Sequence, residues 1–192
     1  MQIIIGLGNP EEKYALTRHN AGWLALDRLL GMDGWRLEKK FQALIKEVGG
    51  DLYLKPLTYM NKSGESAQAC LSYYHLLEKQ FGWRLKKNQD LTQTLFVIQD
   101  DLDLNLGAWK ISTNSRSGGN KGIQSIIDHL KTQRFTRLRL GIKTEALHQL
   151  LPADKFVLQK FSPQEITIIN QAMDEGLPAL TNMKNNHLAI KS

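Results

Sequence analysis

The sequence predicts an α/β protein, a three-layer α/β/α sandwich around a mixed, mostly parallel sheet. Three observations carry this. Short apolar, β-branched runs recur, at residues 3–5 (Ile-Ile-Ile) and 95–99 (LFVIQ) most clearly. Alternating with such runs are stretches with apolar residues at helical spacing, such as 21–30 and 123–130. Glycine, proline and asparagine punctuate the joints, and strands alternating with helices are the signature of layered α/β folds. A chain of 192 residues can bury one good core, so a single domain spanning residues 1–192 is expected.

The first strand, residues 3–5, ends at Gly6 and Gly8, which allow a tight turn, and Asn9-Pro10 stops it. Thr17-Arg18-His19-Asn20 then leads into a helix over 21–30, with Asn20 expected as its N-cap. Asn9 and His19 are thereby crowded toward one strand end, where α/β folds place their chemistry. Residues 41–48 and 52–55, separated by Gly49-Gly50-Asp51, read as a hairpin. Pro56 ends it, and Ser63 or Ser66 is expected to cap a helix bearing Ala67, Cys70, Tyr74 and Leu77 on one face, which leaves Tyr59 and Asn61 in the preceding loop.

Residues 77–93 are polar and read as a surface excursion. The strand at 95–99 delivers Asp100, Asp101 and Asp103 to its end. Residues 108–113 predict another strand, and Gly118, Gly119 and Gly122 then open a helix whose core face is Ile123, Ile126, Ile127 and Leu130. A glycine-rich loop opening a helix suits an anion, because free N–H groups and the helix dipole point at it. Neither this loop nor IIGLGNPEE matches a nucleotide fingerprint: the one lacks Gly-Lys-Ser/Thr, the other its third glycine. Arg137-Leu138-Arg139-Leu140 alternates as a half-buried strand, and residues 146–153 read as a mobile segment. Ser162-Pro163-Gln164-Glu165 is a capping box with proline at the first helical position, opening a helix that Gly176 and Pro178 are expected to interrupt.

The net charge of +6 is unevenly spread. Between Asn105 and Glu145 stand eight Lys/Arg against two acids, while the rest of the chain is balanced, so this third points to a polyanionic partner. One cysteine, Cys70, excludes an internal disulfide and any cysteine-based zinc site. No apolar run reaches the ~20 residues that cross a bilayer, and no secretory signal is legible, so a cytoplasmic protein is expected.

GLGNP followed by a tyrosine and TRHNAG, then KPLTYMNKSG, QDDLDLNLG and SGGNKGIQSI, in that order and spacing, resemble the bacterial peptidyl-tRNA hydrolase family. The resemblance runs from Ile3 to about Ile142 and weakly onward. It implies a monomeric α/β sandwich without cofactor or metal, hydrolysing the ester between a peptide and the 3′ ribose of tRNA after aborted translation. By position, His19 falls on the catalytic base, Asp100 on the acid that stabilises its working form, and Asn9 on a residue that helps tell a blocked from a free aminoacyl group. Tyr14, Tyr59 and Asn61 fall on the substrate channel. Two departures stand out. Glu11 replaces a glycine, which is expected to affect only the turn. Asn120-Lys121 replaces His-Asn, which puts Lys121 where the family has a tRNA-contacting asparagine.

The residue types fit that chemistry. Ester hydrolysis needs a positioned water, a base and donors for the oxyanion, which His19, held by Asp100, and the amides of Asn9 and Asn61 can supply. No serine or cysteine sits in a nucleophile motif, which favours direct attack by water. Lys110 and Arg139, bordering the glycine-rich loop, are the candidate phosphate contacts, with Asn120 and Lys121 nearer the 3′ end. Two other functions compete: an RNA-binding scaffold of the same fold without hydrolysis, and a metal-dependent nucleotide hydrolase using the three aspartates.

Overall fold

Ile3, Ile4 and Ile5 form the centre of the sheet. The strand they belong to, β1 (Ile3–Gly6), is buried along its whole length, which explains a run without polar alternation. It lies parallel between β4 (Asp51–Pro56) and β7 (Leu91–Asn105) in the computed structural model, which describes residues 1–82, 84–145 and 151–189 and side chains up to 183. Beyond β7 comes β9 (Phe135–Lys143), also parallel, and β8 (Trp109–Ser112) closes that edge antiparallel to β9. On the other edge β3 (Ala43–Val48) returns antiparallel to β4, and β2 (Arg36–Glu38) antiparallel to β3. The seven-stranded order is β2-β3-β4-β1-β7-β9-β8, a mixed, mostly parallel sheet, as the sequence predicted. The β3–β4 hairpin turns through Gly49 and Gly50, both at positive φ.

Helices cover both faces. On one, α2 (Ser63–Tyr73) and α3 (Lys121–Leu130) bury Ala67, Cys70, Ile123 and Ile126 against Ile3, Ile5 and Val97. The other face carries α1 (Ala21–Leu30) and the long α5 (Pro163–Ala189), whose Leu26, Ile169 and Met173 pack with Ile4, Phe96 and Leu138. A short α4 (Ala153–Phe156) precedes α5. Gly22 lets α1 touch the sheet, because a Cβ there would collide with the Ile98 carbonyl. The polar excursion is a small hairpin, β5 (Lys79–Gln80) with β6 (Arg84–Leu85), outside the main sheet. The segment 146–153 anticipated as mobile falls, at 146–150, outside the described residues.

Three local expectations are corrected. Asn20 precedes α1, but its side chain makes no cap hydrogen bond and reaches the backbone of Asn9 instead. Neither Ser63 nor Ser66 caps α2: a 3₁₀ turn over Met60–Lys62 feeds the helix, and the Ser63 hydroxyl donates to the Met60 carbonyl at 2.9 Å. Nor do Gly176 and Pro178 interrupt α5. An interior proline costs about 3 kcal/mol, but Pro178 lies on the exposed side, where water can meet the carbonyl left without a partner. Leu177 and Leu180 stay buried beside it, and Gly176 lets the helix approach Leu138, to within 3.0 Å of where a Cβ would stand.

Candidate active site

His19 sits in a 3₁₀ turn, Arg18–Asn20, between the first loop and α1. The C-terminal part of the chain holds that turn. Arg18 N–H donates to the Gln159 carbonyl and His19 N–H to the Val157 carbonyl, at 3.0 and 2.8 Å, and Phe161 N–H to the Leu16 carbonyl. The Arg18 guanidinium, 4% exposed, reaches the Glu165 carboxylate at 2.6 Å and lies over the rings of Phe156 and Phe161. Glu165 also completes the predicted capping box, accepting from Ser162 N–H at 2.8 Å while its own N–H donates to the Ser162 hydroxyl.

The imidazole meets Asp100 on β7, whose two carboxylate oxygens lie 3.0 and 2.9 Å from Nδ1. An ionised carboxylate only accepts, so Nδ1 carries the proton and Nε2 is the basic atom. Burial lowers the His19 pKa, the Asp100 charge and hydrogen bond raise it by more, and Lys121 opposes them from α3; the net shift is upward from 6.5. Asn120 supports this pair from behind. Its Nδ2 donates to Asp100 Oδ1 at 3.1 Å and to the Asp100 carbonyl at 3.3 Å, while its Oδ1 caps α3 by accepting from Gly122 N–H and Ile123 N–H. Sequence reasoning offered Asn120 as a substrate contact. The structure engages both ends of its carboxamide within the protein.

Asn9 is buried, with its backbone clamped by Asn20, and its Oδ1 accepts from Met60 N–H at 2.8 Å. Its Nδ2 has no acceptor among the described residues. Asn9, His19 and Asp100 line a cavity of about 480 Å³, and so do Tyr14, Tyr59, Asn61, Asn120 and Lys121. Eight of the ten residues singled out from the sequence therefore meet at one place. An apolar wall of Met60, Leu102, Val157 and Leu158 completes the cavity. Val157 and Leu158 gave no signal in the sequence because the chain returns to the site only at α4, whose Ala153 and Asp154 also line the cavity.

Lys110 and Arg139 lie outside the cavity, as cross-strand neighbours on β8 and β9. Arg139 is ion-paired, its Nε donating to Asp101 at 2.5 Å with Asp103 3.7 Å away. Arg134 pairs with Asp90, and Arg137 is 2% exposed, its pKa pushed down by burial to about 10. The basic third thus presents fewer free charges than its composition implies. Lys110, Arg116, Lys121, Lys131 and Lys143 are exposed and without an ion pair among the described residues. The three aspartates do not converge: Asp100 faces His19, Asp101 faces Arg139, and Asp103 is largely exposed. Among the described residues, no group of three His, Cys, Asp or Glu side chains is placed to hold a metal ion. Arg137 was not foreseen as structural. Its guanidinium reaches Gln99, the Ser115 hydroxyl and the Arg116 carbonyl, and so pins the approach to the glycine-rich loop.

The chain matches the peptidyl-tRNA hydrolase family over residues 3–191. It is 38% identical to a peptidyl-tRNA hydrolase of Exiguobacterium sp., over 95% of this chain and 92% of that protein. The corresponding enzyme of Synechocystis sp. is 36% identical, over 98% and 92%. A crystal structure of peptidyl-tRNA hydrolase from Acinetobacter baumannii superposes with a TM-score of 0.80 at 27% identity, covering 98% of this chain and 91% of that one. With a buried histidine–aspartate pair in its cavity and likeness along nearly its whole length, this chain belongs to the peptidyl-tRNA hydrolase family.

Proposed function

We propose that the protein hydrolyses the ester between a peptide, or an N-blocked aminoacyl group, and the 3′ ribose oxygen of tRNA, with His19 as general base. The observation that carries the mechanism is the Nδ1 contact to Asp100, which leaves Nε2 as the proton acceptor beside a cavity. A water attacks the ester carbonyl carbon as Nε2 takes its proton. The oxyanion so formed is met by amide donors, for which Asn9 Nδ2 and Asn61 are the candidates. The intermediate then collapses, breaking the bond to the 3′ oxygen, and the imidazolium returns its proton to that oxygen. A peptide carboxylic acid and a tRNA with a free 3′ hydroxyl leave. Asp100 keeps the tautomer and stabilises the imidazolium between the two transfers.

Other nucleophiles are poorly placed. The Cys70 thiol is fully buried in the core and its pKa is pushed up by burial to about 12, so it is neither reachable nor ionised. Ser63 is buried too, with its hydroxyl engaged on a carbonyl. Lys121 at the cavity and exposed Lys110 on β8 are the cations we assign to tRNA phosphates. Such a protein acts as a monomer in the cytoplasm, where its substrate is; no helix among the described residues is long and apolar enough to cross a membrane.

One assay tests the function. Purified protein is given N-acetyl-aminoacyl-tRNA with the unblocked aminoacyl-tRNA beside it. Release of tRNA from the blocked substrate alone is expected, and His19→Ala should reduce it on the order of 10²–10⁴-fold while tRNA affinity stays near the parent's. Binding without turnover in the parent would leave only an RNA-binding protein.

A further inference from the structure

Glu11 occupies a backbone conformation that its side chain does not favour. At φ 81° and ψ 137° it lies where glycine is at ease and a residue with a Cβ is strained. Nothing in the local turn requires a carboxylate: the turn's hydrogen bond, from Tyr14 N–H to the Glu11 carbonyl, is a backbone one. The side chain, however, reaches across to the loop before α2. Its Oε1 accepts from the Tyr59 hydroxyl at 2.5 Å, and its Oε2 lies 2.8 Å from the Lys13 ammonium. The Lys13 ammonium in turn stands over the Tyr14 ring, 4.9 Å from its centroid. Tyr59 and Tyr14 both line the cavity that holds His19. One carboxylate thus joins two aromatic walls that come from segments more than forty residues apart.

We propose that Glu11 is a positioning residue for the substrate channel, which fixes Tyr59 across the cavity mouth at the cost of local backbone stability. The proposal rests on the hydrolase reading above and concerns its channel, not its chemical step. Tyr59 is 49% exposed, so packing alone leaves its ring free to swing. Tied to Glu11, it is held in place before substrate arrives, and less of the binding free energy is lost in ordering it. The Glu11 carboxyl is held below its ordinary pKa by its hydrogen bonds from Lys13 and Tyr59, so the acceptor stays ionised through the neutral range. Strain retained beside a binding cavity, with a side chain that uses it, is the usual mark of function traded against stability.

The test compares the parent with Glu11→Gly, Glu11→Gln, Tyr59→Phe and the double variant Glu11→Gly/Tyr59→Phe, on N-acetyl-aminoacyl-tRNA. Glu11→Gly should melt higher, by about 2–4 °C, while its KM rises about 2- to 10-fold and its kcat stays within about twofold of the parent. Glu11→Gln keeps an acceptor oxygen for the phenol and should hold KM near the parent's. Tyr59→Phe should reproduce the KM rise, and the double variant should be no worse than either single one, because all three remove one link. A spectroscopic arm needs no turnover: the Glu11 hydrogen bond raises the Tyr59 pKa, so the phenol band assigned by Tyr59→Phe should titrate at lower pH in Glu11→Gly. An unchanged KM and phenol titration in Glu11→Gly, or additive effects in the double variant, would overturn the positioning role. Failure of the parent to cleave the substrate would instead overturn the hydrolase reading, and the phenol titration would still report on the link.

Discussion

Asp100 presents both carboxylate oxygens to one nitrogen of His19, at 2.9 and 3.0 Å, so the imidazole has a fixed tautomer and a stabilised cation. A base must be neutral to act. With its pKa raised above 6.5, His19 should give kcat an acid limb above that pH. Asp100→Asn removes the raising charge, so the limb should move to lower pH while the plateau falls. Stability follows the opposite sense: the protonated pair contributes fully below about 6.5, and the contribution is lost as pH rises through the folded pKa. The destabilisation by Asp100→Asn, measured by urea unfolding, should therefore be larger at pH 6 than at pH 9. A limb that stays in place would remove Asp100 from the chemistry.

Asn9 offers a different handle, because its two amide atoms are separately employed. Asn9→Asp keeps an oxygen for Met60 N–H but deletes the donor that faces the cavity and adds a negative charge beside the reacting carbonyl. The variant should fold, lose kcat on the order of 10²–10³-fold, and discriminate less well between blocked and free aminoacyl-tRNA, whose charged amine the new carboxylate attracts. Competition between the two substrates measures this directly. An unchanged ratio would confine Asn9 to shaping the loop.

Lys121 stands at the first position of α3, exposed, unpaired among the described residues and on the cavity wall. As a phosphate contact made before and during the reaction, it should affect KM when changed to alanine more than kcat, whereas Lys121→Asn should be tolerated. The kinetics would assign it to solvent if kcat/KM stayed within about twofold, a difference of roughly 0.4 kcal/mol.

Salt dependence separates the two outlying cations. Lys110 is exposed and unpaired among the described residues, so Lys110→Ala should flatten the slope of log affinity against log salt by about one phosphate's share, ~0.7–0.9. Arg139 is held by Asp101 and Asp103, so Arg139→Ala should flatten it less and lower the melting temperature as well. Equal slopes for the parent and Lys110→Ala would put the tRNA backbone on another surface.

How far the sequence revealed the molecule depended on the range of the forces involved. The strand at 3–5, the Gly49-Gly50 hairpin and the capping box at Ser162–Glu165 are set by local chemistry, and all were legible. Helix starts were misread where a side chain was taken up elsewhere: Asn20 serves Asn9, eleven residues back, and Ser63 serves the 3₁₀ turn just before its helix. Gly176 and Pro178 read as breakers because the sequence does not display the packing of Leu177 and Leu180 that keeps α5 whole. Charge was misjudged for the same reason. Composition counts Arg137 and Arg139 with the basic patch, whereas one is buried and the other paired across strands. The site itself was visible because its residues cluster in motifs, except for Ala153, Asp154, Val157 and Leu158, which arrive by topology.

The clasp of residues 157–161 and Glu165 on the Arg18–His19 turn has a temporal consequence. The histidine is made before the backbone carbonyls and the carboxylate that hold its turn, which follow it by roughly 140 residues in the chain. A nascent chain lacking them has β1, β4 and β7, with Asp100, but not the contacts that hold the turn bearing the imidazole. The full clasp therefore closes only once the segment through Glu165 has been made, and a chain cut short before residue 157 carries the whole histidine motif without it.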